Sequence, residues 1–144
     1  AHEGEGDASH RLAAVRELEE EAGIGGVDPA GLVKFSRWIT PRQVSIRFDT
    51  HFFLAVVEDD VEVRIDQDEI VDVGWFGPRG ALEMHASGDI ALVFPTIKHL
   101  ESLTGFGTAE EALDAARRRE VKTVEPEVIA EGDEERIILP DDLP

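Results

Sequence analysis

The chain has 144 residues and carries 14 Lys plus Arg against 32 Asp plus Glu, a formal net charge of −18. That length suits one domain with a core of its own, and the acidity argues against binding nucleic acid or an anionic membrane. Cysteine is absent, which excludes disulfides, zinc–thiolate sites and thiol catalysis together. No apolar run approaches the ~18 residues of a membrane span, and the N-terminus does not read as a signal peptide, so a soluble, cytoplasmic globular protein is expected.

In chain order, residues 9 to 22 read as a helix: Ser9 can cap it, and Leu12, Val15, Leu18 and Ala22 recur at helical spacing as a core-facing stripe. Gly23 suits the left-handed position that ends it. Leu32 to Ile39 is strand-like, and Thr40-Pro41-Arg42-Gln43 interrupts it. Arg47 to Glu58 is the strongest strand, so continuously apolar from Phe52 to Val57 that cover on both faces is expected. Glu62–Ile65 and Ile70–Phe76 are further strand candidates, the second broken by Pro78 and Gly80. Pro95–Leu103 reads as a short helix. Thr108 and Glu111 form a capping box for a last helix that runs into Arg117-Arg118-Arg119. Val124–Ala130 and Glu135–Leu139 suit a hairpin turning at Gly132-Asp133. Strands and helices mixed without regular βαβ alternation indicate an α+β fold in a single domain.

The segment Arg16-Glu17-Leu18-Glu19-Glu20-Glu21-Ala22-Gly23-Ile24 carries the chemistry. At ~100° per residue, Glu20 and Glu21 fall about −60° and +40° from Glu17, so three carboxylates crowd one face of one turn. Ala13 and Ala14 lie beneath them and leave room for something bulky. Like charges so placed destabilise a helix unless a cation sits among them. An all-oxygen set suits a hard divalent ion such as magnesium, which bridges carboxylates to phosphates and activates water. The reaction class this implies is hydrolysis of a phosphate or pyrophosphate bond, with Arg16 able to orient Glu17. The alternative is a solvated acidic helix face. Glu19 falls inside the apolar stripe.

This nine-residue string resembles the C-terminal half of the Nudix box and matches it at every specified position from Arg16 to Ile24. The resemblance implies an α/β/α sandwich around a mixed sheet. It implies Glu17, Glu20 and Glu21 as ligands of magnesium or manganese, and Glu17 as a general base held by Arg16. The substrates it implies are small nucleoside-diphosphate-linked molecules, and it is compatible with a homodimer. The first half of the box departs from the pattern, with Ala8 at the box glutamate and His2 at the box glycine. The strands that precede the box in Nudix domains are also missing, so an N-terminally incomplete domain is expected, with a C-terminal helix and hairpin as an extension. Trp38-Ile39-Thr40-Pro41 and Arg47-Phe48-Asp49-Thr50-His51-Phe52-Phe53-Leu54-Ala55 resemble the branch typified by peroxisomal coenzyme A diphosphatases, in which insertions split the box. Glu69 to Pro78 also fits a common Nudix pattern. This resemblance makes coenzyme A the first substrate expected, with ADP-ribose and related dinucleotides next. The competing expectation is a catalytically inactive Nudix-fold module for ligand binding or assembly.

Arg47 is the leading candidate for gripping substrate phosphates, with Arg37 and Arg42 behind it. Arg47 and Asp49 alternate along a strand and can serve each other. Glu69 is a candidate fourth carboxylate, although an exposed strand-edge acid is the simpler reading. Trp38, Phe48 and Trp75 could stack on a base, but core packing is favoured for Trp75. The five histidines show no ligand spacing.

Overall fold

The computed structural model describes residues 2–58, 61–64 and 74–139, of which the side chains of residues 2–5 and 138 are left undescribed. In order come α1 (His2–Ala22), a 3-10 turn (Pro29–Gly31), β1 (Val33–Ile39), β2 (Asp49–Leu54), α2 (Pro78–Ala86), α3 (Phe94–Leu103), α4 (Ala109–Arg118), β3 (Thr123–Val124), β4 (Glu127–Glu131) and β5 (Glu134–Ile138). β1 is central in a mixed sheet ordered β2-β1-β3, antiparallel to β2 and parallel to β3. β4 and β5 form a separate antiparallel hairpin.

The β1–β2 register slips between Lys34 and Ser36, where Lys34 faces Phe53 and Ser36 faces Phe52. The extra residue is a bulge, which lets consecutive side chains turn to one face. Phe35 and Ser36 accordingly both reach His99 of α3: the Phe35 ring lies 5.1 Å from the imidazole, and Ser36 Oγ is 2.5 Å from its Nε2. Val33, Phe35 and Ala116 form the buried centre, with Phe52, Leu54, Leu103 and Leu113 around it. On the opposite face α1 meets the sheet, where Arg11 lies over the Phe53 ring and His10 stacks on His51. The layers are helix, mixed sheet, helices, and the α+β sandwich expectation is met.

β2 is half-buried from His51 to Leu54 but ends there, not at Glu58, and Ala55 and Val56 are exposed, so the cover expected for the run to Val57 stops with the strand. Leu54 pairs with Val33, the first residue of β1, and beyond it the ladder has no partner strand among the described residues. Residues 61–64 are not a strand, and most of the 70–76 candidate lies outside the described residues, as does Ile65. Pro78 opens α2 instead of breaking a strand, because proline has no N–H to lose at the first helical position. Thr108 caps α4 by accepting from the Glu111 N–H at 3.2 Å, while the Glu111 carboxylate accepts from Gly107 N–H at 3.0 Å. The 124–130 segment divides: Val124 joins the main sheet beside Trp38, and the hairpin begins at Glu127, turning at Gly132 with φ +68°. The expected stripe on α1 fails at Leu12, which is 60% exposed. The helix is attached by Arg11 instead, which donates to the carbonyls of Leu32 and Pro29 and to Asp7.

Arg119, read from sequence as part of a helix terminus, ties α4 to β1. Its guanidinium lies 4.5 Å from the Phe35 ring centre and donates to Phe35 O. His99 is enclosed by Phe35, Phe52 and Trp38. Trp38 Nε1 can only donate, and it lies 3.2 Å from His99 Nε2, so that nitrogen is the unprotonated acceptor. Burial, with a smaller contribution from Arg119, lowers the His99 pKa from 6.5 to about 4. Since the folded value lies below the unfolded one, the neutral ring contributes full stability above pH 6.5 and loses it as the pH falls toward 4. Thermal melts between pH 7 and 4 should therefore show the wild type losing stability relative to its own pH 7 value by of order 2–3 kcal/mol more than a His99→Gln variant does. Parallel curves would refute the neutral, buried histidine.

Candidate active site

The motif Arg16–Ile24 folds as the last two turns of α1 and the loop that follows. Arg16, Glu17, Glu19, Glu20 and Glu21 are exposed, while Val15, Leu18 and Ala22 are half-buried and Ile24 is buried. Gly23 ends the helix at φ +68°, its N–H donating to Glu19 O at 2.9 Å. A second constraint acts there. Arg64 N–H donates to Ala22 O, and a Cβ on Gly23 would lie 2.6 Å from Arg64 Cβ. Glycine is required both for the left-handed backbone and for the close approach of the 61–64 segment. Glu19 folds back over Gly25, its carboxylate carbon 3.6 Å from where a Cβ there would stand. That accounts for a charge in the apolar stripe.

The loop after the helix lines a cleft of about 410 Å³ with Ile24, Gly25, Gly26, Val27 and Asp28 on one side and Val56, Val57, Glu58 and Val61 on the other. Thus the three glutamates stand on an exposed helix end that runs directly into the wall of a ligand-sized cleft. Their donor chemistry, all carboxylate oxygen, fits a hard divalent cation. Among the described residues, none of Arg16, Glu17, Glu20 and Glu21 is in an ion pair. Also among the described residues, no three acidic or histidine side chains converge as a ready metal cage. Arg16 makes no hydrogen bond to Glu17 in this arrangement.

Arg47 is placed elsewhere. It donates to Glu125 at 2.9 Å and to Thr40 O at 3.3 Å, and Arg42 reaches the same Glu125 oxygen at 3.2 Å. This lies beyond the Ile39 end of β1, whereas α1 meets the strands between Leu32 and Arg37. The sheet does not bring Arg47 to the glutamates. The expected Arg47–Asp49 pairing is also corrected. Asp49 is held by Arg37, cross-strand on β1, with Arg37 Nε donating to Oδ1 at 2.8 Å. That hydrogen bond keeps the Asp49 carboxyl below its ordinary range against the smaller opposing effect of burial. Arg37 wins because it shares a face with Asp49 across paired strands.

Of the aromatic candidates, Trp38 is buried and committed to His99. Phe48 is 66% exposed, with its backbone fixed to Thr40 through Phe48 N–H to Thr40 Oγ1 at 2.8 Å. Trp75 is 68% exposed, which corrects its expected place in the core: residues 74–77 form no strand that would turn it inward. Glu69 lies outside the described residues. Sequence reading missed two histidine arrangements, His99 in the core and the His10–His51 stack. No local spacing announces either, because each joins elements far apart in the chain.

The arrangement is an α+β domain: a mixed sheet between helices, with a helix end carrying clustered glutamates ahead of a glycine turn. The Nudix domain profile matches residues 2–95, and the chain belongs to that family. Relatives include nudix hydrolase 7, so named in Caenorhabditis elegans, 24% identical over 128 residues that cover 65% of this chain and 43% of that protein. The acyl-coenzyme A diphosphatase of Homo sapiens is 33% identical over 82 residues, 56% of this chain and 22% of that protein. The chain therefore spans less than half the length of the curated relatives it matches. No solved structure matches it significantly.

The double constraint on Gly23 yields a sharp expectation. Gly23→Ala should destabilise the fold by roughly 1–3 kcal/mol, and Gly23→Asn should not recover it, because asparagine tolerates the backbone angle but still brings the clashing Cβ. Chemical denaturation of both variants checks this. A near-native Gly23→Asn would show that backbone angle alone sets the requirement.

Proposed function

We propose that this domain hydrolyses a pyrophosphate bond in a small nucleoside-diphosphate-linked compound. The observation that carries the reading is the Arg16–Ile24 segment: three exposed carboxylates at the end of α1, with the loop behind them forming a cleft wall. Glu17, Glu20 and Glu21 would hold magnesium or manganese, their long exposed side chains closing on the ion. The bound cation supplies charge neutralisation at the phosphoryl oxygens and a water of lowered pKa. Glu17 takes the proton of the attacking water, and Arg16 orients Glu17 once the two are drawn together. The loop at Gly25 and Gly26, with no side chains, leaves the cleft open for a bulky substrate.

Coenzyme A or an acyl derivative is the first substrate, supported by the likeness to a human acyl-coenzyme A diphosphatase. ADP-ribose and related dinucleotides come next. Arg47 would serve as a substrate contact only by leaving Glu125.

Product analysis by mass spectrometry tests the reading, with coenzyme A, ADP-ribose, NADH and diadenosine polyphosphates, with and without magnesium or manganese. The expected outcome is metal-dependent cleavage at a pyrophosphate. Glu20→Gln should reduce kcat/KM by roughly 100-fold or more, about 3 kcal/mol of barrier, with an unchanged melting temperature in metal-free buffer. Full activity in Glu20→Gln overturns the metal assignment. No turnover of any substrate, with no divalent-ion shift in melting temperature, favours a ligand-binding module instead.

A further inference from the structure

Between α1 and the outer face of β1 and β2 lies a second cleft, of about 440 Å³. Six ionisable side chains line it: Asp7 and His10 from α1, Lys34 and Arg37 from β1, and Asp49 and His51 from β2. In a chain of net charge −18 this cleft stands out because Lys34 and Arg37 match its two carboxylates. Two aspartates hold the basic side chains without exhausting them. Arg37 uses Nε and Nη2 on Asp49, leaving donors on Nη1. Lys34 Nζ lies 2.7 Å from Asp7 Oδ1, leaving two of the three ammonium protons. Both remain solvent-reachable, with 38% and 40% of their side-chain surface exposed.

The histidines complete the set. His10 and His51 stack with ring centres 3.8 Å apart and an interplanar angle of 19°. Stacked rings do not point their nitrogens at one point, and among the described residues no trio of acidic and histidine groups is placed to hold a cation. Burial, then His10, keeps the His51 pKa below its ordinary value against the pull of Asp49, whose Oδ1 is 3.6 Å from its Nε2. The charged groups that line the cleft with the pair are Asp7 on α1, Lys34 and Arg37 on β1, and Asp49 on β2.

We propose that this cleft is a binding site for a phosphate-type dianion, gripped by Lys34 and Arg37 beside the His10–His51 pair. A phosphate group has three or more acceptor oxygens and a charge of about −1.5 to −2, which matches the spare donors of Lys34 and Arg37 better than a carboxylate would. The aspartates pre-orient the donors and keep the empty cleft from carrying excess positive charge. The ion is either free or the terminal phosphate of a nucleotide.

Titration of the full chain with inorganic phosphate at constant ionic strength, followed by the histidine ring NMR signals, tests the site. The expected result is saturable shifts of His10 and His51, with the His99 signal unmoved as a marker of the folded core. Lys34→Gln and Arg37→Gln should each weaken binding at least fivefold, and Lys98→Gln should not. Shifts that chloride reproduces at equal ionic strength, or that survive both Lys34→Gln and Arg37→Gln with His99 native-like, overturn the proposal. AMP binding tenfold tighter than phosphate assigns the site to a nucleotide's phosphate, and equal binding assigns it to the free ion. Adenosine displacing the signals while phosphate does not overturns it. These readouts require no turnover, so the site stands or falls separately from the hydrolase reading.

Discussion

The placement of the three glutamates depends on how α1 is held against the sheet, and the polar part of that attachment centres on one guanidinium. Arg11 bridges Asp7 on its own helix to the backbone carbonyls of Pro29 and Leu32, and its flat face covers Phe53. Those carbonyls lie at the chain's entry into β1, where the 3-10 turn meets the strand, so one side chain fixes the helix at the very point where the sheet begins. Asp7 then extends the link to Lys34. Burial favours its neutral form, but hydrogen bonds from Lys34 and Arg11 outweigh that and hold the carboxyl below its ordinary range. At its far end the helix keeps Leu18 and Ala22 half-buried on one face and leaves the glutamate face in solvent. Glu17, Glu20 and Glu21 can stand in solvent because no core contact is asked of them.

The opposite face of the sheet is built by apolar packing around one polar atom. The bulge at Phe35 turns two consecutive β1 side chains toward α3, and the third contact, Trp38, arrives from the same strand. His99 Nε2 meets Ser36 and Trp38 at once, so a buried histidine is satisfied as an acceptor and its ring contributes as an aromatic body among Phe35 and Phe52. β1 thereby serves two chemistries: a charged helix on one side and an aromatic, neutral core on the other. The alternation of its side chains, shifted once by the bulge, is what separates them.

Much of this was legible in the sequence where the signal is local. The helix through residues 9 to 22, the strand at 32 to 39, the Thr108 cap and the Gly132-Asp133 turn are each set by residues within a few positions of one another, and they appear, although the helix starts at His2 and Ser9 lies inside it instead of capping it. The motif Arg16–Ile24 was legible for the same reason, since one helical turn brings its carboxylates together. The failures share the opposite cause. Val124 was assigned to the hairpin because nothing nearby says that a parallel partner, β1, waits eighty residues upstream. Leu12 was placed in the core because periodicity cannot tell an apolar docking face from a face where arginine does the docking. Trp75 was placed in the core on the strength of a strand that the described residues around it do not form.

The same contrast explains what the site reading could not supply. A phosphate-gripping arginine was sought near the Nudix-like string Arg47–Ala55, and Arg47 folds instead onto Glu125, together with Arg42. The basic groups that do gather, Lys34 and Arg37, alternate with core residues along β1 and look in sequence like ordinary strand surface. Only cross-strand register puts Arg37 against His51, and only helix packing puts His10 on that ring. His10 precedes Glu17 on the same helix by about two turns. One helix therefore carries the carboxylates proposed to hold a cation, at its end, and an imidazole of the proposed phosphate cleft, along its shaft. A substrate rich in phosphate oxygens is the class of molecule for which both proposed sites would be useful on one side of a sheet, and in a chain this acidic a cleft whose carboxylates are matched by Lys34 and Arg37 is where an anion can settle.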